Sequence, residues 1–137
     1  GAAGADGQAQ VLRFLPEEVT IKAGDTVRWV HRSAHEPHTV TFLGGEEAPE
    51  DVIFEPQPAG PPRLLQNNMT LFPQGGNVYN GEGFTNSGFM GDPLPGGTEY
   101  ELTFDTPGEY GYYCILHAGG PEDPIGQAMV GRITVTE

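Results

Sequence analysis

The sequence predicts an all-β domain, an antiparallel β-sandwich, and three observations carry that expectation. First, apolar residues recur with a period of two in short runs: Val19 and Ile21, Val27 and Trp29, Val40 and Phe42, Tyr100 to Phe104, Tyr110 to Cys114, Ile133 and Val135. Second, 21 glycines and 13 prolines among 137 residues break every stretch that would make a long helix. Third, 36% of residues are hydrophobic, enough for a core, so the Gly and Pro act as turn punctuation rather than as low complexity. About seven short strands between turn signals make a sandwich of one domain.

The elements follow in order. Residues 1–9 are small and polar and read as a flexible tail, with the domain spanning 10–137. They hold no apolar h-region, so no signal peptide is expected among them, and such a tail could tether the domain to an upstream segment. Val11, Leu12 and Phe14 form a short apolar run interrupted by Pro16. Val19 and Ile21 then alternate with polar neighbours, Ala23-Gly24-Asp25 signals a turn, and Val27, Trp29 and His31 share one strand face. After a polar loop, His38, Val40 and Phe42 fall on one face. Residues 44–97 are dense in proline, glycine and asparagine and predict a long irregular excursion, with a short strand or helical turn near Leu64–Phe72. Its Phe54, Leu65, Met69, Leu71, Phe72, Tyr79, Phe84, Phe89 and Met90 suggest that it packs. Strand pattern returns at Thr98–Phe104. After a turn at 105–108, Tyr110, Tyr112 and Cys114 share a face, with Tyr113 expected opposite, towards the surface. Val130–Thr136 is the last strand, with Ile133 and Val135 inward.

Charge excludes one class of function. Nineteen acidic against six basic residues give a net charge of −13, which repels phosphate backbones, so no nucleic-acid partner is expected. A partner with basic patches is favoured instead. No run of about 18 apolar residues exists to span a membrane.

The candidates for chemistry are four histidines, one cysteine and three methionines. A single cysteine forms no intramolecular disulfide, so Cys114 is either a small buried hydrophobe or a reactive or metal-binding thiol. Cys114 ends a strand, His117 follows three positions on, Met129 opens the final strand, and His38 starts an earlier one. Two imidazoles, a thiolate and a thioether are the ligand set of a blue-copper centre, where soft sulfur suits Cu(I) and imidazole suits both oxidation states. A lone C-x-x-H is weak evidence, and a zinc site would want more cysteines or histidines. The ordered composite is stronger. His31 reads as a partly buried strand-end residue, and His35 beside Glu36 as a loop residue. Met69 and Met90 read as gap-fillers.

These residues lie in segments that resemble a known family. Phe14-Leu-Pro-Glu-Glu-Val-Thr-Ile-Lys-Ala-Gly-Asp-Thr-Val-Arg-Trp29, Glu36-Pro-His-Thr-Val-Thr-Phe42, Phe104-Asp-Thr-Pro-Gly-Glu-Tyr-Gly-Tyr-Tyr-Cys-Ile-Leu-His117 and Met129-Val-Gly-Arg-Ile-Thr-Val135 are similar to cupredoxins of the plastocyanin and halocyanin type. The resemblance covers residues 10–43 and 98–136. It implies a Greek-key β-sandwich, one type-1 copper per chain and one-electron transfer, not enzymatic turnover. By position it implies His38, Cys114, His117 and axial Met129 as copper ligands. Two departures matter. Eleven residues, 118–128, separate His117 from Met129 where the family places only a few, so Gln127 is an alternative axial ligand. The excursion over 44–97 is also long for the family, although Asn86-Ser-Gly88 resembles a motif in some members.

The resemblance further implies a periplasmic or extracellular monomer. Its partners would be redox proteins such as a c-type cytochrome or a membrane-bound electron-transfer complex. Thr39 and the loop before Cys114 are plausible places for N–H groups aimed at the thiolate. Pro37, Leu116, Ala118 and Pro121 are candidates for an apolar rim where His117 meets solvent. Two competing functions remain: copper storage or delivery, which would favour exposed Met- or Cys-rich sites, and a domain detached from a multicopper enzyme, which would need more histidines.

Overall fold

The structure, a computed structural model, describes residues 14–32, 36–125 and 127–137, and the backbone of 2–3 and 10–11. Most of the expected tail over 1–9 lies outside the described residues. Within it, β1 (Ala2–Ala3) pairs antiparallel with β2 (Gln10–Val11).

Two sheets form the sandwich. One holds β4 (Thr26–Val30), β10 (Glu99–Phe104) and β8 (Val78–Tyr79), in the order β4-β10-β8. The other runs β3-β12-β11-β5-β9, from β3 (Glu18–Lys22), β12 (Val130–Thr136), β11 (Gly108–Tyr113), β5 (Thr41–Phe42) and β9 (Thr85–Asn86). Most pairings are antiparallel. β3 with β12 and β8 with β10 are parallel, because their connections cross from one sheet to the other rather than turning back as hairpins.

The period-two patterns become the core. Val19, Ile21, Val27 and Trp29 point inward as partly buried residues, and Phe42, Leu102, Phe104 and Ile133 are fully buried. Phe42 joins the sheets: its ring centroid lies 5.2 Å from Tyr112, 5.7 Å from Phe104 and 4.8 Å from Tyr79. Trp29 adds edge contacts to Tyr112 at 5.3 Å and Phe42 at 6.2 Å. Such offset and edge-on pairs are each worth about 0.5–1.5 kcal/mol beyond area burial. The β3–β4 turn uses Gly24 at φ +97°, and its N–H donates to the Phe104 carbonyl at 2.7 Å. Opposite Tyr112 in the β11–β12 register stands Gly131, where a Cβ would overlap the phenol ring.

The 44–97 excursion is more ordered than its composition predicts. It carries β6 (Val52–Glu55), which the sequence does not predict, paired with β7 (Arg63–Gln66), then a one-turn helix α1 (Asn68–Leu71); β7 and α1 fall where a short strand or helical turn is expected. Asn67 caps α1 by accepting the Met69 N–H at 2.9 Å. Its end returns to the sandwich: Tyr79 and Met90 are buried.

Two expectations need correction. Phe54, Met69 and Phe72 do not pack: they are 64%, 45% and 45% exposed. Among the described residues the β6–β7 ribbon gains no third strand, so Phe54 and its ladder partner Leu64 both stay exposed. Conversely, Tyr113 does not face solvent. It is 2% exposed, because β11 is flanked by β12 and β5 and its outer face is covered by the 118–125 segment. Pro121 lies against Gly111 there, and the Glu122 charge acts on the Tyr113 phenol, whose pKa burial pushes up to about 12.

Candidate metal centre

The centre is assembled at one end of the sandwich from two chain segments. The first is the stretch before β5. His38 forms an isolated antiparallel bridge with Met90, its carbonyl accepting the Met90 N–H at 2.7 Å. That bridge fixes the His38 backbone and buries the ring to 5% exposure. The second is the turn after β11. The His117 N–H donates to the Cys114 carbonyl at 3.1 Å, and this tight turn swings the His117 ring onto the sulfur.

Three donor atoms converge. His117 Nδ1 lies 3.3 Å from Cys114 Sγ and 3.3 Å from His38 Nδ1, and the Sγ to His38 Nδ1 separation is 4.0 Å. A point equidistant from this triangle sits about 2.1 Å from each atom, within the roughly 2.0–2.3 Å range of metal–imidazole and metal–thiolate bonds. The residues therefore fit a metal ion. A soft thiolate with two imidazoles fits copper by donor chemistry.

The electrostatics act on the two imidazoles in opposite directions. Burial holds the His38 pKa down at about 3, helped by the neighbouring His117 and His31, so the ring is neutral, the state a metal-ligating imidazole needs. The His117 pKa is raised, first by its hydrogen bond to Cys114 and then by Glu36. The Thr39 backbone N–H points at Cys114 Sγ at 3.3 Å, the arrangement that stabilises thiolate charge.

A polar chain behind the sulfur locks that geometry. Thr39 Oγ1 accepts the Ile115 N–H at 2.9 Å and meets Thr41 Oγ1 at 2.9 Å; Thr41 Oγ1 donates to Asn86 Oδ1 at 3.0 Å. Asn86, fully buried, donates in turn to the Met69 and Thr70 carbonyls of α1, both at 3.0 Å. The excursion is thereby tied to the turn that carries the cysteine.

Met129 is 1% exposed and lines, with His38, Met90, Val40 and Trp29, a small cavity of about 30 Å³. Its main chain stitches the turn shut: its carbonyl accepts the Cys114 N–H at 3.0 Å, and its N–H donates to the His117 carbonyl at 3.4 Å. The eleven intervening residues therefore loop out without moving Met129 from the turn. Gln127 is exposed. Of the candidate rim, Pro37, Leu116 and Ala118 are half-buried near the centre, whereas Pro121 covers β11 at Gly111. His31 is half-buried, with Nε2 2.8 Å from the Glu36 carbonyl, and His35 lies outside the described residues.

Sequence reasoning passed over Glu36 as a partner of the centre. Its Oε1 lies 2.8 Å from His117 Nε2. The only sequence signal is its place directly before Pro37-His38. It also passed over the hydrogen-bonding role of Asn86, although Asn86-Ser-Gly88 stood out as a motif.

Comparison with known proteins places the chain in a family. Residues 2–136 match the model for copper binding proteins of the plastocyanin/azurin family. Plastocyanin from Scenedesmus fuscus is 33% identical over 132 residues, covering 96% of this chain and 93% of the relative. Chloroplastic plastocyanin from Tetradesmus obliquus is also 33% identical, but the chain spans only 63% of its length. Amicyanin from Paracoccus versutus, as a crystal structure, matches with a TM-score of 0.43 and 24% identity over 93% of this chain and 76% of that one. The family match over nearly the whole length, together with two imidazoles and a thiol on one triangle, leads to one conclusion: the chain belongs to the plastocyanin/azurin family of copper-binding proteins.

Proposed function

We infer that this protein is a type-1 copper electron carrier. His38 Nδ1, His117 Nδ1 and Cys114 Sγ would hold the copper, and Met129 would supply the fourth, thioether donor. The observation that carries this reading is the triangle of two Nδ1 atoms and one Sγ, no edge longer than 4.0 Å, with the Thr39 N–H on the sulfur. Copper held there supplies a one-electron Cu(I)/Cu(II) couple. The chain's own residues do the rest. The Met90 bridge and the Cys114–His117 turn hold the donors in place, and the Phe14, Trp29, Val40 and Met90 side chains keep water from the buried side. Burial supports Met129 as the axial ligand over exposed Gln127.

Electrons enter and leave through the His117 edge, the less buried of the two imidazoles. The partners are redox proteins such as a c-type cytochrome or a membrane-bound complex, met in the periplasm or outside the cell. The protein works as a monomer and catalyses no turnover of its own. No helix among the described residues is long and apolar enough to cross a membrane. With a net charge of −13, association with a basic partner weakens as salt rises.

Adding Cu(II) to the metal-free protein tests the reading. An intense visible band near 600 nm, from thiolate-to-copper charge transfer, is expected (a family-level expectation). A colourless adduct overturns it. Met129→Leu should shift the reduction potential strongly and Gln127→Leu should not; the reverse would move the axial assignment.

A further inference from the structure

The two imidazoles of the centre are held by different means. His38 is fixed by burial and its backbone bridge, and its Nε2 is buried with no hydrogen-bond partner among the described residues. His117 Nε2 instead meets a carboxylate, Glu36 Oε1, at 2.8 Å, with side-chain exposures of 12% and 39%.

We propose that Glu36 is the positioning residue for His117. Its carboxylate takes the Nε2–H, fixes the ring orientation and tautomer, and leaves the Nδ1 lone pair facing Cys114 Sγ and His38 Nδ1. Three features place the carboxylate. Pro37 restricts the preceding residue to extended backbone, which sets Glu36 at a fixed offset from His38. The His38 backbone is itself pinned to Met90. The His31 ring donates Nε2–H to the Glu36 carbonyl at 2.8 Å, fixing the peptide from the other side. One short segment, residues 36–38, therefore carries one ligand and aims the other. The same contact puts a negative charge beside one ligand only, and a nearby anion favours the more positive, oxidised metal.

This inference rests on the copper reading, and its test separates the two. In the metal-free protein, ¹⁵N NMR of the His117 ring should show a fixed Nε2–H in wild type and in E36Q, whose amide oxygen still accepts. In E36A the two tautomers should average. In the copper protein, E36Q should raise the reduction potential by up to a tenfold shift of the Cu(II)/Cu(I) ratio, 59 mV for one electron, with an unchanged visible band. E36A should raise it as well and also shift or broaden the band. Thermal unfolding of both variants should stay near wild type, since Glu36 is a half-exposed surface side chain. Wild-type tautomer and potential in both variants overturn the proposal, as does averaging of the tautomers in wild type. A wild-type protein without the visible band overturns the copper reading alone, because the metal-free NMR result still judges Glu36.

Discussion

The β6–β7 ribbon of the excursion and the sandwich use the same kinds of residue and reach opposite fates. Phe54 on the β6–β7 ribbon is 64% exposed, while Phe42, a strand residue just before the excursion begins, is 0% exposed. Leu64 is 62% exposed and Leu102 is 0% exposed. Composition is alike, but support differs. Phe42 stands between two sheets, so aromatic rings from both of them meet it. Phe54 stands on a ribbon that gains no third strand among the described residues. Burial is a property of the elements that face a residue, and a ribbon alone cannot supply them.

The sharpest way to break this contrast is Phe42→Ala. It removes the ring that joins the sheets and should cost about 3–5 kcal/mol; denaturant unfolding would show it as a lower midpoint. Gly131→Ala comes next, at about 1–3 kcal/mol, because the added methyl must displace the Tyr112 ring. Asn86→Ala should cost a similar 1–3 kcal/mol by leaving the α1 carbonyls and the Thr41 hydroxyl short of partners. Unlike Gly131→Ala, it should also loosen the cysteine turn, read as faster hydrogen exchange at the Ile115 amide.

Alkaline pH tests the buried side without mutation. Burial pushes the phenols of Tyr79, Tyr100 and Tyr112 up to about 12, against 10.0 in an exposed chain. Above pH 10 the unfolded chain releases these protons and the folded chain keeps them, so stability falls as pH rises from 10 towards 12 and is intact below. Tyr112 alone should contribute about 1 kcal/mol of loss by pH 11, measurable as a falling Tm that Tyr112→Phe reduces. The smallest effect belongs to the ribbon: Phe54→Ser should change stability by less than about 0.5 kcal/mol. A loss comparable to Phe42→Ala would mean that the ribbon is part of the core after all.

The sandwich was legible because its strands are half-buried. Val19 and Ile21, Leu102 and Phe104, and Ile133 and Val135 alternate with polar neighbours, and that alternation is the physical requirement of a face packed on a core. The donors His38, Cys114 and His117 were legible because each stands beside a strand, His38 before β5 and the other two directly after β11, where local sequence sets position. Tyr113 misled for the same reason. Alternation assumes a bare outer face, and the 118–125 segment covers it. Phe54 misled in the opposite direction, since hydrophobicity was visible but the ribbon's lack of a third strand was not.

The strand periods, the Gly24 turn, the donor types and the three-residue spacing from Cys114 to His117 are local properties of the chain and follow from residue order alone. Tertiary structure decided what depends on distant segments meeting. It brought Asn86 beneath Thr41, joined Met129 to the cysteine turn across eleven intervening residues, and set the Glu36 carboxylate on His117, 81 positions away. No sequence period encodes such contacts, because each forms only after two sheets have closed on one another and carried their loops to the same end.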